Sequence, residues 1–257
     1  MKRFINYRNY AILALLSLFF TAAYAQDAKQ LLLDGNEQYA KGSYQEAVTN
    51  YEKVIKDGYE SAALYYNLAN AQYKLNRTAP SVYYYEKALQ LKPGDKDVKN
   101  NLTFAQNMTL DAITPLPQNT FKKWNNSVLG LFTTDGWAIM TVVLIFAFVL
   151  TFIFYYYTVS SGLKRLLFTV SFAALAVAII SLAIGFQSAS HAKNNIQAIV
   201  WSAEAQVKSE PNLRSDEAFV LHEGTKVRVL EETDEWKHIR IADGKEGWIT
   251  TTDIKEL

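Results

Sequence analysis

The 257-residue sequence contains no cysteine, three histidines and five prolines, and its 26 basic and 25 acidic side chains nearly cancel to a net charge of +1. The absence of cysteine excludes disulfides, thiolate nucleophiles and cysteine-ligated zinc. It leaves the compartment open, because an envelope protein can do without disulfides. His191, His222 and His238 stand singly among polar neighbours, a pattern for solvated or strand-edge residues rather than ligands. No phosphate-binding loop, G-x-S-x-G or H-E-x-x-H occurs. The sequence therefore offers no catalytic residue, no metal ligand and no cofactor site, and the expected protein is not an enzyme. Acidic residues outnumber basic ones over 188–257, which argues against a nucleic-acid partner.

Charge is also missing from two long apolar runs, 137–158 and 166–186. Each is about 20 residues long, enough to cross a hydrocarbon core of about 30 Å. The segment between them, 159–165, is too short to fold, so the two runs predict a transmembrane hairpin. Neither span carries Asp, Glu, Lys, Arg or His, the groups that ion and proton pathways use at depth. The hairpin therefore reads as an anchor, with Ala173, Ala174, Ala176 and Ala178 available for close helix packing. Near the N-terminus, Lys2, Arg3 and Arg8 precede an apolar stretch and then Ala23-Tyr24-Ala25. That order predicts a signal peptide over 1–25, cut between Ala25 and Gln26. Export of the chain from Gln26 onward puts Lys164 and Arg165 of the connecting loop in the cytoplasm, as the positive-inside rule asks. Both flanking soluble regions then share the periplasmic side. Trp137 and Tyr155–Tyr157 fall where aromatic belts belong.

Residues 28–95, within a helical array expected over 26–112, repeat. Tyr51-Glu52-Lys53 returns as Tyr85-Glu86-Lys87, Asn36 as Asn70 and Gln38-Tyr39 as Gln72-Tyr73, always 34 positions on. Small residues, Gly35 with Ala47 and Ala69 with Ser81, mark places where paired helices cross closely. These positions resemble the tetratricopeptide (TPR) family, whose unit is a helix–turn–helix of this length. The resemblance implies repeats over about 28–61 and 62–95 and a capping helix over 96–110. It also implies a concave face bearing Leu32, Asn36, Tyr39, Tyr66, Asn70, Tyr73 and Lys74. Paired asparagines there can hold the backbone of an extended peptide, and tyrosines give rigid amphipathic contact. The same tyrosines also suit packing of the superhelix. A carboxylate-clamp face would need several basic residues and only Lys74 is available, so a ligand held by its terminal carboxylate is not expected. Residues 113–136 form a linker stiffened by Pro115 and Pro117, in which 121–132 can lie on the bilayer surface.

After a polar stalk over 187–198, alternation of period two with glycine turns predicts a small β-barrel over 199–257. Leu213-Arg214-Ser215, Gly224, Val227, Val229, Trp236 and the closing Gly247-Trp248-Ile249 resemble a bacterial SH3-like (SH3b) domain. Domains of that kind often bind cell-wall peptides or proteins, which makes Arg214, Trp236 and Trp248 candidate contacts. Barrel core is the other place for the two tryptophans.

The expected architecture is thus an all-α TPR array, a two-helix membrane hairpin and a small all-β SH3-like barrel. Their order is similar to the BatE-like TPR proteins of the Bacteroides aerotolerance operon. That resemblance implies a multi-pass inner-membrane protein of Gram-negative bacteria. It also implies von Willebrand A-domain Bat proteins and a MoxR-type ATPase as partners, in oxygen tolerance or envelope stress. A scaffold gripping protein partners is the leading expectation, and a module binding peptidoglycan through its SH3b domain is the alternative.

Overall fold

A computed structural model describes residues 28–257. The expected signal peptide and its cleavage site at Ala25 and Gln26 lie outside the described residues. Five antiparallel helices come first: α1 (28–40), α2 (Tyr44–Lys56), α3 (Ala62–Lys74), α4 (Thr78–Leu91) and α5 (Lys96–Gln106). Their ends are specified locally. Ser61 accepts the Leu64 N–H to start α3, and Asp95 accepts the N–H groups of Asp97 and Val98 to start α5. At Gly35 a Cβ would stand 2.5 Å from the Tyr51 ring, so only glycine lets α1 and α2 approach this closely. Tyr51, Leu64 and Leu68 fill a core shared by α1, α2 and α3, and Val82, Tyr85, Val98 and Leu102 one shared by α3, α4 and α5.

The segment expected as a stiff linker is extended only in its first part. It contains helix α6 (Thr120–Leu129), and its extended part lies against the barrel, with the Leu116 N–H bonded to the Ala242 carbonyl at 2.9 Å. The helices α7 (Thr134–Tyr157) and α8 (Ser161–Asn194) follow; both are long and apolar enough to cross a membrane, and most of their apolar side chains are exposed. Only 158–160 separate them, because Lys164 and Arg165 belong to the first turns of α8 instead of a loop. Ser160 starts that helix early, and the Lys164 ammonium rests over the Tyr155 ring, 5.2 Å from its centroid. One further expectation is corrected here. Trp137 is not part of a lipid-facing belt: it is 5% exposed, packed against Phe132 and the Gly185 backbone. Ser181 bonds across the pair, accepting from the Thr141 hydroxyl (3.1 Å) and donating to the Trp137 carbonyl (3.2 Å). Of the four alanines, Ala178 alone is buried in this seam.

Helix α8 runs through the expected stalk and gives way at Gln197 to strands β1 (Gln197–Val200), β2 (Glu204–Lys208), β3 (Glu217–His222), β4 (Lys226–Thr233), β5 (Trp236–Arg240), β6 (Glu246–Thr250) and β7 (Ile254–Glu256). They form one antiparallel sheet in the order β3-β2-β6-β5-β4-β1-β7, wrapped around Val200, Val207, Leu221, Ile239 and Ile249.

The sheet domain docks on the second repeat. Ile199 of β1 is fully buried among Tyr83, Tyr85 and Ala88, so it belongs to the helical core. Burial of one such side chain contributes about 1.5–3 kcal/mol. The Lys255 ammonium sits between Tyr83 (4.4 Å) and Trp201 (4.6 Å), and Lys226 pairs with the buried Glu86 at 2.8 Å. Gly224, at φ +86°, faces Thr78 and Thr109 so closely that a Cβ would lie 2.8 Å from each methyl group.

Candidate functional site

The opposite side of the helical array is a groove built by repetition. The Asn36 side-chain oxygen accepts from the Tyr51 hydroxyl (2.8 Å) and from Asn67 Nδ2 (2.9 Å). One repeat later, Asn70 accepts from the Tyr85 hydroxyl (2.5 Å) and from Asn101 Nδ2 (3.0 Å). Each member of the second triad stands 34 positions after its counterpart. With both lone-pair directions of each oxygen occupied, the amide orientation is set by its neighbours. The Nδ2 groups of Asn36 and Asn70 remain as donors to whatever enters the groove.

Two adjoining hollows share Tyr39 and Asn70. One, of about 250 Å³, is lined by Asn36, Tyr39, Tyr51, Asn67 and Asn70. The other, of about 290 Å³, adds Tyr66, Tyr73, Lys74, Tyr85, Asn101 and Phe104. Burial pushes the Tyr51 hydroxyl up to about 12, with the Tyr39 ring adding to the effect, and raises Tyr85 further still. Both hydroxyls therefore stay protonated and able to donate at any physiological pH.

Six of the seven expected concave-face residues, Asn36, Tyr39, Tyr66, Asn70, Tyr73 and Lys74, line these hollows. Leu32 does not: it packs on the core shared by α1, α2 and α3, beside Leu31. Leu32 and Asn36, four positions apart, point about 40° from each other around the helix, and the apolar side chain is the one turned toward the core. Sequence reasoning missed Tyr51, Tyr85, Asn67, Asn101 and Phe104. Asn67 and Asn101 share the 34-residue offset, so the signal was present, but it spans the second repeat and the capping helix.

On the barrel, the register His238↔Trp248 and Trp236↔Thr250 puts Trp236, His238 and Trp248 on one side of the sheet. All three are half-buried, and the His238 and Trp248 rings stack at 4.9 Å. Neither tryptophan is in the barrel core, which is filled by Ile239 and Ile249 on the alternate positions. Arg214 is exposed in the loop between β2 and β3, where its N–H is held by the Asn212 side chain at 3.0 Å. The loop follows Lys208, the strand partner of Trp248.

A third cluster joins the segment after α5 to the barrel. The Asp111 carboxylate accepts from the His222 N–H (2.8 Å) and the Thr225 hydroxyl (2.6 Å), and it meets His222 Nδ1 at 2.7 Å. Burial pushes this carboxyl up, but the three partners together outweigh it and hold it below the usual carboxylate range.

Comparison with known proteins agrees with both soluble parts. Residues 32–96 match the tetratricopeptide repeat model, and residues 203–255 match the bacterial SH3 domain model. The chain carries both modules. No curated protein matches the chain. Among solved structures, a TPR repeats protein from Bacteroides fragilis aligns at 14% identity over 74% of this chain and 88% of that one, with a TM-score of 0.29. YrrB, described as a TPR protein with an unusual peptide-binding site, aligns at 19% identity over 70% and 90%, TM-score 0.29. The SMG5–SMG7 complex of C. elegans aligns at 18% identity over 61% of this chain and 43% of that one, TM-score 0.30. Overlaps this loose do not extend the assignment beyond the two matched segments.

Proposed function

We propose that this chain is a non-enzymatic, membrane-anchored adaptor whose TPR groove holds an extended peptide segment of a protein partner. One observation carries the reading: Asn36 and Asn70, one repeat apart, are each oriented by a tyrosine and a second asparagine so that their amide N–H groups serve the groove. Main-chain carbonyls of an extended peptide are the matching acceptors. Tyr39, Tyr66 and Tyr73 supply walls with little rotamer freedom to lose. Lys74 stands at one end, favouring an acidic group there.

The two long apolar helices anchor the chain as a multi-pass protein of a bacterial inner membrane, with the TPR array and the SH3b domain together on the periplasmic side. The uncharged spans, Lys164 and Arg165 between them, and the leader-like N-terminus support that topology. The domain order favours an envelope-stress or aerotolerance assembly containing von Willebrand A-domain proteins and a MoxR-type ATPase. Photo-crosslinking from a residue placed at Tyr73 in intact cells tests the groove. The expected result is one dominant envelope partner, lost with Asn36→Leu plus Asn70→Leu. Undiminished crosslinking in that double variant would contradict the proposal. In spheroplasts, external protease should cut both soluble regions; protection of either would refute the topology.

A second reading has its own support. The His238–Trp248 stack with Trp236 beside it is an aromatic platform on the barrel, suited to peptidoglycan. Sedimentation with purified sacculi, reduced by Trp248→Ala, would favour this alternative; no sedimentation would leave the barrel to protein partners.

A further inference from the structure

We infer that α6 is an interfacial helix that lies in the lipid headgroup layer and seats the soluble body on anionic phospholipid. The inference rests on the membrane-anchored reading above. Helix α6 has ten residues and buries none of them. A helix that short does not persist in water by itself, and natural ones are held by packing an apolar face. Its apolar face is present but uncovered: Phe121 is 73% and Trp124 61% exposed, with their rings 6.0 Å apart. Lys122 and Lys123 lie next to them, both exposed.

The level of the helix identifies what covers that face. Asn125 accepts a hydrogen bond from Gln187 Nε2 at 3.1 Å. Gln187 follows Phe186, the last residue of the second apolar run, and α7 begins only five residues after α6 ends. The helix is therefore pinned where the apolar spans meet water. At that depth, aromatic rings enter the acyl boundary, while lysine stems reach along the surface to place their ammonium groups on phosphates. The charge favours anionic over zwitterionic headgroups. With α7 and α8, α6 makes a third membrane contact, which fixes the tilt of the groove above the bilayer.

The cysteine-free sequence makes the test direct. The full chain is placed in nanodiscs containing phosphatidylglycerol, with single cysteines introduced by Trp124→Cys, Phe121→Cys or Phe146→Cys. Each carries an environment-sensitive fluorophore, and lipids with shallow or deep spin labels act as quenchers. Positions 124 and 121 should be quenched best by the shallow label, about 5–10 Å into the interface, and position 146, in the middle of α7, by the deep one. Adding Lys122→Gln and Lys123→Gln should weaken shallow quenching in anionic discs. If 146 is quenched while 121 and 124 report water, or are shielded without lipid quenching, the interfacial helix is refuted and the anchor stands. If 146 is not quenched, the anchor fails and this inference with it. Unchanged quenching in the lysine variant would refute the headgroup contact.

Discussion

The two repeats share their groove side but not their back. On the groove side, Asn36–Tyr51–Asn67 and Asn70–Tyr85–Asn101 are the same polar unit. On the back, equivalent positions diverge: Gln45, Thr49 and Asn50 of α2 become Ala79, Tyr83 and Tyr84 of α4, while Glu52 is kept as Glu86 but differently placed. In α2, Gln45, Thr49 and Glu52 are exposed; in α4, Ala79, Tyr83 and Glu86 are buried beneath the barrel. A TPR unit buries its face only against a neighbour. Here the second repeat has three neighbours, the first repeat, the capping helix α5 and strand β1. Departures such as Tyr83 thus mark where the second domain docks, the Asn–Tyr–Asn identities mark the shared groove, and Glu86, which repeats Glu52, takes its new role from Lys226 alone.

The sharpest way to break this contrast is paired truncation. Tyr83→Ala should lower stability by about 3 kcal/mol through a core cavity, and Ile199→Ala by about 2–5 kcal/mol from the other side of the same seam. Thr49→Ala, the α2 counterpart of Tyr83→Ala, should change it by less than about 0.5 kcal/mol. Denaturant midpoints of the detergent-solubilised chain decide the comparison.

The Asp111 clasp should matter next. Asp111→Ala leaves the His222 N–H and the Thr225 hydroxyl without their acceptor, at a cost of about 1–3 kcal/mol. Because the folded carboxyl is held below its ordinary value, its stabilisation is complete above about pH 4 and disappears as the pH falls through the lower folded value. An acid titration of barrel unfolding should therefore lose a step in Asp111→Ala.

The smallest difference is expected for the matched acids. Glu86→Gln, at the docked helix, should destabilise by about 1 kcal/mol through the loss of its Lys226 pairing. Glu52→Gln, on the open helix, should be nearly silent.

Much of this was legible in the sequence, for physical reasons that differ by region. The 34-residue spacing exposed Asn36, Asn70 and the tyrosines because repeats place equivalent residues on one face. Glycine turns and alternation exposed the barrel. The docking was not legible, since Ile199 alternates like any strand residue and only the tertiary fold sends it into helical core. Nor was the clasp: Asp111 and His222 are 111 positions apart, and neither belongs to a motif. Leu32 misled because helical periodicity gives a face only to within about a residue. The linker misled because its two prolines suggest extension, while its contact with Ala242 is made by a backbone N–H that composition does not reveal.

Hydrogen exchange over α2 and α4 tests the central contrast most directly. In the intact chain, amides of α4 should be more protected than those of α2, and Ile199→Asp should bring α4 down to the level of α2 without changing α2. Equal protection of the two helices in the unaltered chain, or an α4 indifferent to Ile199→Asp, would contradict the docking of the SH3b domain on the second repeat.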